Sequence, residues 1–461
     1  MNYYLTFSTI ATISSSMLKY NCSEPSNFIK NGGDVMHDNK KWLVCIHYIR
    51  TSMRWCLFAV ATGLVCGLVG TALYYMIVGA NVLRSEHPYI IWLLPVAGLL
   101  IVKVYHMLDI PEDRGADLIF DSVREEQHVP LQVIITSALS TVITHLFGGS
   151  AGRVGTALQI GGGISSGLSR HFKLNPKDRS LFIMCGMCGL VTVLFGTPLA
   201  ATFLSMEVIS VGVIYYAALL PCLVTSITAF FVASFFDIEP LQFTIPDMPA
   251  VSAVSLIKVG LFAAVCAVVS ILFCYAIKEL NVLLKSKIPN QYIRVVIGAF
   301  TIIGLTMLVG SQKYNGSGND LLNLALTDGI SKPWDFALKL LFTAITLACG
   351  YKGGGVFPAF IIGATFGCSF GSFFGLQAQF AAALGLVAVF CGAVNCPIAS
   401  ILLGAEIFGG EGVLFFAITS AISFVFSGYF TLFPGQDFVY SKLRMEYRSS
   451  NLRRRSADEG E

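Results

Sequence analysis

Charge is what this chain has least of. Asp, Glu, Lys and Arg make up 12% of its 461 residues, against about 25% in a typical soluble domain. With 55% apolar residues and a mean hydropathy of +0.72, that shortage excludes a soluble domain, a disordered chain and a disulfide-stapled secreted module. The net charge of +3 is too small to draw the chain to nucleic acid. Its 13 cysteines read as small apolar packing residues rather than metal ligands or disulfides, and neither a metal nor a cofactor is expected. Some stretches lack charge altogether: Gly353 to Ala405 holds no Asp, Glu, Lys, Arg or His. An all-α polytopic membrane protein is the class left.

What is present is apolar sequence cut by glycine and proline. Residues 1–50 are polar and mixed and are expected to form a cytoplasmic arm. Cys56 to Val78 is uncharged and long enough to cross about 30 Å of hydrocarbon at about 1.5 Å per residue. Val208 to Phe236 is a second long uncharged run. Gly148 to Gly167 and Ser180 to Met206 are instead punctuated by glycine, and glycines and prolines divide Gly353–Ala405 into pieces too short to span alone. Broken helices at membrane depth are tolerated where they line a protein cavity or pore. The pattern therefore predicts a transporter or channel with re-entrant half-helices.

Three landmarks recur in the same order about two hundred residues apart. Gly115-Ala116-Asp117-Leu118 matches Gly318-Asn319-Asp320-Leu321. Gly152-Arg153-Val154-Gly155-Thr156 sits against Gly354-Gly355-Val356-Phe357-Pro358. Thr197-Pro198-Leu199-Ala200 leads to Glu207 at the spacing by which Cys396-Pro397-Ile398-Ala399 leads to Glu406. The recurrence predicts two membrane repeats, 51–237 and 253–443, followed by a basic tail over 444–461. Such repeats place a substrate near the midplane, where discontinuous helices of both halves meet.

A half-helix that begins inside the membrane presents free backbone N–H groups and about half a positive charge at its N-terminus. Gly148–Gly155 and Gly353–Val356 both lead into apolar runs and read as two such entrances. Facing each other, they would hold an anion without a full countercharge, which would bind it too tightly for release.

These segments resemble the CLC chloride channels and proton-coupled anion exchangers. Gly149-Ser150-Ala151-Gly152-Arg153-Val154-Gly155-Thr156 resembles the family's Gly-Arg-Glu-Gly-Pro selectivity segment, and Gly354-Gly355-Val356-Phe357-Pro358 its Gly-x-Phe-x-Pro segment. The resemblance covers about residues 50 to 443. It implies an inverted-repeat fold with one pore per subunit of a homodimer, with chloride or another small monovalent anion and the lipid bilayer as partners. The bacterial type is implied, without cytoplasmic nucleotide-binding domains. The anion-binding residues it implies are Gly152, Arg153, Val154, Gly155, Gly355, Val356 and Phe357. Tyr440, on an expected terminal amphipathic helix, would be the central tyrosine, with Tyr429 as the fallback. The inner serine ligand falls near Arg114. The family's gating glutamate falls on Val154 and its internal proton-transfer glutamate on Val208, so passive, channel-like conduction is implied.

Some features are similar to a fluoride/proton-exchanging subclade: Thr156 in place of proline, Gly196-Thr197-Pro198, and Gly350-Tyr351-Lys352-Gly353-Gly354. That subclade keeps the gating glutamate and adds one where this chain has Gly355, so fluoride and coupled exchange are the alternatives. Glu207 and Glu406, at matching ends of short apolar helices, read as ligands for a neighbouring backbone end. A remote alternative is an intramembrane serine hydrolase. Gly148-Gly149-Ser150-Ala151-Gly152 fits the Gly-x-Ser-x-Gly spacing, with His145 and His171 as candidate bases, and no acid partner follows. Lys40, Lys41, Arg50 and Arg54 before the first span, and Arg453 to Arg455 after the last, place both termini in the cytoplasm of a multi-pass cell-membrane protein.

Overall fold

The computed structural model describes residues 37–108, 110, 115–125, 129–444 and 446–448, with side chains from residue 46 onward. It divides into two compact units, Met1–Arg54 and Trp55–Glu461. In the first, the described backbone is helical from His37 and the side chains of 46–50 are exposed. All that follows concerns the second.

The described residues form sixteen α-helices. The first eight are α1 (His37–Glu86), α2 (Leu94–Met107), α3 (Asp117–Arg124), α4 (Leu131–Leu146), α5 (Val154–His171), α6 (Pro176–Phe195), α7 (Pro198–Glu207) and α8 (Leu219–Phe235). The second eight follow in the same order: α9 (Ala253–Lys287), α10 (Gln291–Val309), α11 (Asn319–Asn323), α12 (Asp335–Ala348), α13 (Val356–Phe370), α14 (Ala378–Val394), α15 (Pro397–Phe408) and α16 (Val413–Phe426). Each helix of the first half has its counterpart eight numbers later.

The correspondence extends to single dihedral angles. α6 ends on Gly196 and α14 on Asn395, both left-handed (φ 70° and 58°), the conformation that glycine and asparagine accept most readily. The next residues, Thr197 and Cys396, cap α7 and α15 with φ/ψ of −119°/79° and −120°/80°, each before a proline in the first turn, where the missing N–H leaves no hydrogen bond unmade.

The carboxylates close this arrangement across the repeats. Glu406 of α15 accepts from the Leu199 and Ala200 N–H groups at the head of α7, both at 2.8 Å. Glu207 of α7 accepts from the Ile398 and Ala399 N–H groups at the head of α15, at 3.3 and 2.9 Å. Each short helix thus caps the other, which is the backbone-end role expected of these two glutamates.

Burial separates core helices from lipid-facing ones. The apolar windows of α6 and of Val356–Phe374 are 78% buried, against 44% for α9 and 39% for α10. The inner pairs α5/α6 and α13/α14 cross at glycine. A Cβ on Gly161 would collide with the Gly186 carbonyl, and one on Gly363 with that of Gly385. Small residues let helices approach closely where water cannot drive them together. A Cys-x-x-Cys spacing, Cys185 and Cys188, lies inside α6, where both are free and buried. The Cys188 thiol bonds the Cys185 and Cys222 carbonyls, in keeping with a packing role.

After α16 the chain forms a strap. β2 (Asp437–Phe438) pairs in parallel with β1 (Ser210–Val211), in the register Ser210 to Asp437 and Val211 to Phe438. The Gln436 amide donates to the Val208 and Val394 carbonyls at 2.9 and 2.8 Å and accepts from Thr431 at 2.7 Å and Asn395 at 3.2 Å. One side chain with its hydrogen bonds satisfied thus pins the strap to both halves.

Candidate anion site

α5 and α13 begin beside each other at the boundary between the halves. The Gly152 N–H donates to the Gly354 carbonyl at 2.7 Å, and the Gly354 N–H donates back to Gly152 at 2.8 Å. This antiparallel bridge holds the two helix N-termini together, and glycine is required on both sides of it. A Cβ on Gly152 would lie 2.7 Å from the Pro358 Cδ, and one on Gly354 would lie 2.7 Å from the Gly155 nitrogen. Gly353 sits at φ +150° against Ala151.

A cavity of about 1140 Å³ reaches this junction. Gly155, Thr156, Gly353, Gly354 and Gly355 line it, so each half contributes the start of its half-helix. Lys285, Arg294 and Lys352 line the walls, with Asp117 the carboxylate among the described lining residues. The Lys352 ammonium lies 4.5 Å from the centre of the Tyr105 ring. A cleft of one dominant sign, walled by apolar protein, concentrates counter-ions of the other sign.

The residues singled out in the sequence therefore separate into two groups. Gly155 and Gly355 face the cavity. Gly152, Arg153, Val154, Val356 and Phe357 lie behind it, all buried. Val154 is 0% exposed at the first position of α5. The Arg153 guanidinium donates to the Leu194 carbonyl at 3.0 Å and lies over the rings of Tyr74, Phe195 and Phe357, so its charge is held against aromatic faces. Val208, directly after α7, is also 0% exposed, and its carbonyl is taken by Gln436.

Tyr440 is not brought to the cavity. It is 45% exposed, bridged to Tyr447 and packed beside Gly212. Tyr429 is 40% exposed and stacks under the Arg448 guanidinium. The helix expected here does not form, because Pro434 and Gly435 interrupt it and β2 pairs with β1. Phe433 does line the cavity, with Tyr105, Tyr292 and Tyr351, and its ring is 5.4 Å from that of Phe120. Arg114 lies outside the described residues, although its neighbours Gly115, Ala116 and Asp117 line the cavity.

The serine of the Gly-x-Ser-x-Gly spacing is not set up by a histidine. Ser150 Oγ accepts from Lys339 at 2.9 Å and bonds Thr343 at 3.0 Å, while His145 Nδ1 faces Ser317 at 3.3 Å. His171 closes the far end of the 18-residue α5, about 25 Å away at about 1.5 Å per residue. Ser150 and Lys339 are both 0% exposed and do not line the cavity. Lys339 was not legible as part of this loop; its one signal is a lysine inside a mostly apolar helix whose other charged residue, Asp335, stands at its start.

The comparisons agree with this architecture. A family model described as voltage gated chloride channel matches residues 105–428. A chloride/fluoride channel protein of Pseudomonas syringae pv. tomato is 33% identical over 411 residues, which is 87% of this chain and 91% of that protein. The crystal structure of a CLC-type fluoride/proton antiporter superposes with a TM-score of 0.81 at 30% identity, over 84% of this chain and 98% of that one. A slow cyanobacterial Cl⁻/H⁺ antiporter shares the fold, with a TM-score of 0.70 at 20% identity over 81% of this chain and 94% of its own.

Proposed function

The chain belongs to the voltage gated chloride channel family, and from that premise we propose that it conducts chloride or a similar small anion passively across the cell membrane, as a homodimer with both termini in the cytoplasm. The observation that carries this reading is the bridged pair of half-helix N-termini lining a cavity together with Lys285, Arg294 and Lys352. Helix N-termini offer N–H donors and partial positive charge, and the cationic walls supply the anion to them. Val154 and Val208 carry no proton, so neither of the two positions that hold the family's proton-transfer glutamates can couple the anion to proton movement.

In chloride-loaded liposomes, release should require a counter-ion path such as valinomycin with potassium. A chloride gradient should leave the pH unchanged, and uphill proton movement at a fixed ratio would overturn passive conduction.

A second reading is fluoride. Two of the relatives carry fluoride in their names at 30% identity or more, and Thr156 follows Gly155 as in the fluoride subclade. Backbone donors that replace a hydration shell favour chloride and bromide, since fluoride is the costliest halide to dehydrate. Permeability ratios under bi-ionic conditions decide: chloride above fluoride supports the first reading, and a large excess of fluoride establishes the second.

A further inference from the structure

The loop that feeds α5 is gripped by the other half of the molecule at three consecutive residues. Asn315 donates to the Gly148 carbonyl at 2.8 Å, and the Gly316 N–H donates to Gly149 at 3.1 Å. At Ser150, the N–H donates to Thr346 Oγ1 at 3.1 Å while the hydroxyl meets Thr343 and Lys339. Lys339 lies on α12 and is 0% exposed. Its ammonium donates to Ser150 Oγ at 2.9 Å, to the Tyr314 carbonyl at 3.1 Å and to the Gly316 carbonyl at 2.9 Å.

An ammonium has three donors, and all three are used, each on a neutral oxygen. Protonation is what would use all three donors, and no carboxylate is among the partners. A nearby carboxylate is engaged elsewhere. Asp335, one turn earlier on α12, accepts from Lys313 at 2.8 Å, from the Tyr314 hydroxyl and from the Lys332 N–H. The other ionisable groups around the loop are Arg84, Arg153 and His145, none of them acidic. A buried charge without a counter-charge is expensive for the fold, and its field reaches far in a low-dielectric surrounding.

We propose that Lys339 stays protonated in this loop and is a fixed positive charge of the conduction path, a positioning residue that acts on the α5 entrance through Ser150 and strengthens anion binding there without touching the anion. This rests on the two half-helix entrances being the anion site. The entrance of α13 has no counterpart, because Tyr351 and Lys352 occupy the matching loop and Lys352 lines the open cavity. The buried half of the site would thus draw on a permanent charge and the open half on a solvated one.

The test uses full-length protein in liposomes, reading the half-saturating anion concentration of flux and, separately, the melting temperature in detergent. A unit charge about 10 Å away, at an effective dielectric of about 20, changes anion binding by roughly ten- to twenty-fold. Lys339→Met should raise the half-saturating chloride concentration by about that factor, whereas Lys339→Arg should stay within about three-fold. Thr343→Asp keeps the lysine but places a carboxylate beside it, and should weaken binding like Lys339→Met. Ser150→Ala removes one hydrogen bond, leaves the charge, and should shift affinity least. If Lys339→Met does not fold, Thr343→Asp carries the test. An unchanged half-saturating concentration in whichever of the two folds, while Val154→Glu still gives acid-relieved block, would overturn the role of Lys339 alone. If Val154→Glu gives no such block, the site itself is misplaced.

Discussion

The entrances of α5 and α13 are built from the same backbone and placed in opposite surroundings. Both follow a left-handed glycine, Gly148 (φ +89°) and Gly350 (φ +108°), and both meet at the Gly152–Gly354 bridge. The loop before α5 is buried under Asn315, Gly316 and Lys339 and has Ile91 against Gly148. The loop before α13 faces the cavity, and a Cβ on Gly350 would meet nothing within 4 Å. The difference shows how a duplicated helix end can serve a polar passage: the backbone supplies two matched donor sets, and side chains decide which is dry and which is wet. It also explains why one repeat alone would be incomplete, since each short helix behind the entrances is capped by a glutamate of the other.

The comparison can be broken most severely at the bridge. Gly354→Val would drive a side chain into the Gly155 backbone and separate the entrances. Overpacking of this kind costs about 1–3 kcal/mol or more, and transport should fall below detection even where some protein still folds, as tested by flux per amount of reconstituted protein. The cross-caps come next. Glu207→Ala leaves two buried N–H groups at the head of α15 without partners, for a loss of about 2–4 kcal/mol. Glu406→Ala should cost about half as much, because Glu406 is only half-buried and water can replace it. Thermal unfolding of the two variants should rank them in that order, and equal losses would mean that the repeats do not differ in burial at this point.

How much of this was legible follows from the range of the interactions. The half-helix starts, the αL residues before Thr197 and Cys396, and the matched glutamates are local patterns, each repeated, so the sequence displayed them twice. The strap was misread because its structure depends on pairing β2 with β1 from the other half and on four hydrogen bonds to Gln436. No periodicity within residues 428–448 reveals those partners. Lys339 was missed for the same reason: its partners, Ser150, Tyr314 and Gly316, are distant in the chain and two of the three bonds are to carbonyls.

Smaller effects sharpen the wet side of the comparison. Lys352→Met should reduce flux about two- to five-fold at low ionic strength and much less near 1 M salt, where the screening length falls to about 3 Å. A loss independent of salt would assign Lys352 to packing against Tyr105 rather than to the field of the cavity. Phe433→Ala should alter the conductance or selectivity of the cavity, whereas Tyr440→Phe, at an exposed position on the strap, should leave flux within experimental error and stability within about 0.5 kcal/mol. The reverse ranking would show that the strap rearranges to bring Tyr440 inward.

The central claim, that the head of α5 is where the anion passes and that Val154 leaves it without a gate, is tested most directly by Val154→Glu. A carboxylate at this helix N-terminus would occupy the place of the permeating anion while ionised and be favoured there by the helix dipole. Flux per amount of reconstituted protein, followed from about pH 8 to about pH 4, should be suppressed roughly ten-fold or more at the alkaline end, where the added side chain is charged, and recover as acid protonates it. The native protein should vary little over the same range. Loss of flux to the same degree at every pH would contradict the claim, since a side chain that merely disturbs packing at a buried position has no reason to be relieved by protons.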